Sequence, residues 1–152
     1  VTHTVVLSAA ELLAHRDVLG THLTHNPEHR IHVLLGDGPF IDSARLTLKK
    51  DDLPAELRHL VLSDPEHLVK IINRAFLTGH ENLTTFDPLG LDQVRVIEMG
   101  FLCKCYRLTK VNMERFFNLE EINLFFLGFC EAFPPEEVEK VRSFIKRKNI
   151  TH

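Results

Sequence analysis

Ten histidines are the first side chains in this sequence that could do chemistry. Four of them, His22, His25, His29 and His32, fall within eleven residues, and neutral imidazole is a common ligand for zinc, copper or nickel. A metal-dependent enzyme or a metal sensor would need these rings to converge. Pro27 prevents the run from being one uninterrupted helix, so a loop would have to bring them together. The plainer reading is four polar side chains in a surface connection.

The other reactive types offer less. Cys103 and Cys105 are separated by one residue where structural zinc pairs use two to four, and Cys130 is the only other thiol. All three read as reduced cysteines, Cys103 and Cys105 on one strand, which places the chain in the cytoplasm. The four serines, Ser8, Ser43, Ser63 and Ser143, include none in G-x-S-x-G. A Cys130 nucleophile would sit beside Phe129 and Phe133, apolar neighbours that disfavour a thiolate. Gly36-Asp37-Gly38 lacks the third glycine and following helix of a dinucleotide fingerprint. The carboxylate pairs Asp51-Asp52, Glu120-Glu121 and Glu136-Glu137 stand at predicted helix starts, where the helix dipole accounts for them. No catalytic residue and no cofactor is therefore assigned.

Basic residues support a nucleic-acid reading. Lys104, Arg107 and Lys110 follow a predicted strand, while Arg142, Lys146, Arg147 and Lys148 lie on the last predicted helix. Brought together they would form a cationic patch for phosphates. Against this stand a net charge of −3 and nine acids facing four bases over 51–100. Solvation and the helix dipole explain the same residues.

The elements that must position these groups follow from patterning. With 152 residues, 44% of them hydrophobic and 26% charged, the chain reads as one globular domain over 1–152. No internal repeat of twenty to fifty residues is visible. The longest apolar run, 124–130, is far short of the ~20 residues that cross a bilayer, so no membrane partner is expected. The chain starts with Val, not Met, which leaves a removed leader open.

Residues 4–7 read as a strand and Ser8 to Glu11 as a capping box opening a helix that ends near Gly20. Strands at 30–35 and 44–49 flank a turn over 36–39 and form a hairpin. Pro54 and Asp64-Pro65 open two helices running to Gly79, with Leu68, Val69, Ile71, Ile72 and Phe76 at helical spacing. A second hairpin, 94–99 with 101–110, turns at Gly100. Residues 119–133 read as a helix apolar almost all round, and a last amphipathic helix covers 136–148. The expected fold is α+β: a hairpin-built antiparallel or mixed sheet of about five strands with a helical C-terminal part packed on it.

A helix apolar on most sides needs cover, and a short domain has few elements to supply it. The expected function is therefore non-enzymatic: a small protein-binding adaptor or regulatory chain whose partner is another protein or a second copy of itself. Leu124, Phe125, Leu127 and Gly128 are the candidate contact residues. The nucleic-acid and metal readings stand as alternatives.

Overall fold

The structure, a computed structural model, describes residues 3–36, 41–42, 45–46, 52–74, 76–123 and 130–151. It opens on β1 (Thr4–Ser8), whose Thr-Val-Val run favours extended backbone. Ser8 then caps α1 (Ala9–Ala14). Its hydroxyl accepts from the Glu11 amide at 3.2 Å and donates to the Glu11 carboxylate at 3.1 Å, which is the expected capping box. Helix α2 (Arg16–His25) runs through Gly20, where a Cβ would lie 3.0 Å from the Glu56 carboxylate. It stops at Asn26, the residue before Pro27, whose ring disfavours helical backbone there.

Beyond α2 the chain forms two sheets. Sheet A contains β1, β2 (Arg30–Leu34), β5 (His59–Ser63), β7 (Thr85–Asp87) and β9 (Lys110–Val111), in that order and all parallel. Sheet B contains β3 (Ile41–Asp42), β4 (Arg45–Leu46), β6 (Ile71–Ile72), β8 (Val96–Ile97) and β10 (Glu121–Ile122). Its pairs are parallel except β3 with β4. The architecture is thus α/β with mostly parallel pairing, and the expected hairpin-built antiparallel or mixed sheet is wrong. The second proposed hairpin fails for a specific reason: β8 and β9, on either side of Gly100, belong to different sheets. Of the first, β2 and β4 likewise lie in different sheets, and residues 37–39 of its turn lie outside the described residues.

From β5 onward each circuit of chain visits sheet A, turns, visits sheet B and returns. Register partners on successive circuits, His59 with Thr85 with Lys110 and Ile71 with Val96 with Glu121, stand 25 or 26 residues apart. An internal repeat therefore exists where none was expected. Its buried positions stack in ladders: Leu57, Leu83, Leu108; Leu60, Phe86, Val111; Val69, Val94, Leu119; Ile72, Ile97, Ile122. Phe76 lies parallel to Phe101 at 5.8 Å between ring centres, and Phe86 meets Phe101 edge-on at 5.5 Å, the two arrangements aromatic quadrupoles favour.

Among the described residues of 54–79 neither of the two expected helices is present. Asp64 does act as a cap, but of a turn: its buried carboxylate accepts from the Leu68 and Val69 amides at 3.0 and 2.9 Å. The helix expected over 119–133 does not form over that span either, because Glu121–Ile122 is strand and 130–133 is turn and irregular chain. Leu124, Phe125, Leu127 and Gly128 lie outside the described residues. The last helix is present as α3 (Pro135–Arg147), with Pro135 in its first turn and Val141 and Phe144 buried. It packs beside the 3-10 turn Met113–Arg115 and next to β9 of sheet A. Among the described residues no helix is long and apolar enough to cross a membrane.

Candidate functional site

Strand alternation decides which side chains sheet A presents. On β2, Ile31 and Val33 are buried in the core, so Arg30, His32 and Leu34 point the other way. The register lines these up with their neighbours into rows across the sheet. One row runs Thr4, Arg30, His59, Thr85, Lys110; the next runs Val6, His32, Val61, Asp87. A third holds Ser8, Leu34 and Ser63. This outer face is mixed in character. Val6, Leu34 and, just past β7, Leu89 are exposed apolar side chains among polar ones.

Polar contacts order the face. The His59 ring meets the Thr85 hydroxyl at 2.8 Å through Nδ1 and the Glu28 carboxylate at 3.2 Å through Nε2. An Nε2–H donated to Glu28 leaves Nδ1 to accept from Thr85. Arg58 places its guanidinium 3.7 Å from Glu28, and Arg115 lies 3.1 Å from Asp87.

His32 Nε2 makes a short contact with the Ser63 hydroxyl. An imidazole beside an alcohol is the start of a nucleophile and base pair, and such a pair needs a third group to orient the imidazole. The candidate would be Asp87. It stands two strands from His32, with Val61 between them, about 10 Å away at the usual strand spacing, and it is bound to Arg115. Among the described residues the contact lacks the geometry of a triad.

The structure divides the four candidate metal ligands. His22 Nε2 and His29 Nδ1 lie 2.8 Å apart, with ring centres at 4.8 Å. His25 is exposed on the last turn of α2, and His32 faces Ser63. The partner that sequence reasoning missed is His3, edge-on to His29 at 5.0 Å; only the parallel pairing of β1 with β2 brings it there. Partial burial and the neighbouring His22 and His3 rings pull the His29 pKa below its ordinary value. Among the described residues no group of three or more His, Cys, Asp or Glu is arranged to hold a metal ion.

None of the three cysteines is in a disulfide, and Cys105 and Cys130 follow the repeat. Cys105 Sγ donates to the Leu77 carbonyl at 3.2 Å, and Cys130 Sγ donates to the Leu102 carbonyl at 3.0 Å one circuit later. Burial pushes the Cys105 pKa up to about 12 and raises that of Cys130, so both stay protonated and unreactive at neutral pH.

No family model, curated protein or solved structure matches the chain. The remaining candidates are the basic residues, which the structure interleaves with acids. Arg142 pairs with Glu139 at 3.2 Å and Arg147 with Glu114 at 3.2 Å. Lys110 shares a groove of about 300 Å³ with Glu114, Glu137 and Lys140. Lys104, Arg107, Lys146 and Lys148 are exposed on turns and at the end of α3. Charges of both signs occupy this end of the stack, which is not the one-signed surface that phosphate binding uses.

Proposed function

We propose that the chain is a non-enzymatic repeat module that binds another protein on the outer face of sheet A. The observation that carries this reading is the register of that sheet. It places Arg30, His59, Thr85 and Lys110 in one continuous row beside exposed Val6 and Leu34. Stacked repeats present extended surfaces of this kind, in which each circuit adds one strand and one set of outward side chains. Apolar anchors within a polar surround are what a protein partner needs. The seam first expected around 124–128 has less support, because its described neighbours Leu119, Ile122 and Phe133 are buried within the chain itself. Cysteines outside any disulfide fit a reducing compartment such as the cytoplasm.

Site-specific photo-crosslinking in cells tests this reading. A photoreactive residue at Thr85 or Lys110 should capture one defined protein, and the same residue at Lys70 or Arg95, exposed beside sheet B, should not. Equal capture from both positions, or nucleic acid as the captured species, contradicts it.

A further inference from the structure

We infer that β1 is a self-pairing edge, through which two copies of the chain join sheet A to sheet A across a twofold axis at Val6. The inference does not rest on the binding face proposed above. Strand β1 is the first in the order β1-β2-β5-β7-β9, so β2 is its one partner among the described residues. Natural edge strands are protected by charged side chains, proline, bulges or short length. Thr4-Val5-Val6-Leu7-Ser8 pairs with β2 over all five residues and has no charge, no proline and no glycine. At the opposite edge β9 is two residues long and α3 packs nearby.

Backbone direction settles the register. The Arg30 amide donates to the His3 carbonyl at 3.0 Å. Alternation then turns the polar groups of His3, Val5 and Leu7 toward β2, and those of Thr4 and Val6 toward the open edge. Two antiparallel copies with Val6 opposite Val6 therefore meet as a hydrogen-bonded pair, each Val6 exchanging N–H and C=O with the other. In that register Thr4 lies opposite Ser8 and Val5 opposite Leu7. Polar meets polar and apolar meets apolar on both faces of the strand, and no like charges oppose each other. Val6, half-exposed at 51%, gains cover. Val5 and Leu7, only partly buried against the core of one copy, gain it from the other.

An isologous contact of this kind closes at two copies. A five-residue strand pair falls below the roughly 1,000 Å² of a stable interface, so the dimer is weak and reversible. Sedimentation velocity on the full chain from micromolar to millimolar concentration should show a monomer passing to a dimer and no higher species. Val6→Lys should hold the chain monomeric throughout with an unchanged circular dichroism spectrum, and Val6→Thr should preserve the dimer. In the second measurement, Val6→Cys under mild oxidation should form a symmetric disulfide between copies. The paired Cα atoms would lie about 5.5 Å apart, inside the roughly 4.4–6.8 Å that a disulfide spans. Thr4→Cys should not bridge to itself. A chain monomeric at millimolar concentration, a dimer insensitive to Val6→Lys, or bridging as efficient from Thr4→Cys as from Val6→Cys would overturn the inference.

Discussion

Leu77 and Leu102 hold the same left-handed backbone, at φ 59° and 56°, one circuit apart in the stack. Two residues further on, Gly79 and Lys104 do so again at 72° and 60°. The corner is thus a repeated backbone shape that the first circuit fills with glycine and the next with lysine. Left-handed backbone costs an ordinary residue about 1–2 kcal/mol. Lys104→Gly relieves that and loses part of the gain to the freer unfolded chain. Its urea midpoint should correspond to a stability equal to the parent or up to about 1 kcal/mol higher, whereas Gly79→Ala should lose about 1 kcal/mol.

Phe101 is the central packing residue of the stack, flat against Phe76 and edge-on to Phe86. Phe101→Ala should cost about 3–5 kcal/mol in chemical denaturation. A loss below about 1 kcal/mol would mean that the circuits do not share this core.

Asp64 tests the turn that replaces the expected helix. Its carboxylate is fully buried and holds the Leu68 and Val69 amides. Asp64→Ala orphans both donors and should cost about 3 kcal/mol. A helix N-cap at the same position would cost about 1 kcal/mol, so the size of the loss separates the two structures.

Cys105 gives the fold an alkaline dependence. Its thiol is held up to about 12 from an ordinary value of 9.0 by burial. A group whose folded value is raised contributes stability that is complete below pH 9.0 and is lost as pH rises toward about 12. Over that window the thiol removes about 1.4 kcal/mol per pH unit. Cys105→Ala should start lower but decline less steeply from pH 9 upward, as denaturation midpoints at each pH would show.

His29 acts at the acid end with the opposite sign. His29 is held below its ordinary value of 6.5, so its contribution is present above that pH and lost as pH falls through the folded value. In a side-chain NMR titration His29 should protonate below 6.5, and His22→Gln should move it back toward that value.

Much of the first rung was legible. The capping box at Ser8 and Glu11, strands β1 and β2, and, at the other end of the chain, α3 all depend on neighbouring residues and follow from local chemistry. The stack was hidden for a physical reason. Val69, Ile72 and Phe76 are buried at spacings of three and four, the same spacing that marks a helix face, although here they turn inward at successive corners of a circuit. The second circuit is also one residue shorter than the first, as the step from Phe86 to Val111 shows against that from Leu60 to Phe86, and the strands of sheet B are two residues long. Neither a fixed period nor a strand-length alternation is left to find. Of the site, His22 and His29 were visible as residues, but their meeting with His3 and the rows across sheet A exist only once distant strands pair.

The most direct measurement is the affinity of the captured partner for charge-reversed chains. Lys110→Glu lies on the outer face of sheet A and Arg95→Glu beside sheet B. Binding through the outer face predicts at least about a tenfold loss for Lys110→Glu, or roughly 1.4 kcal/mol, and no measurable change for Arg95→Glu. Equal losses, or a loss confined to Arg95→Glu, would place the contact elsewhere and contradict the account.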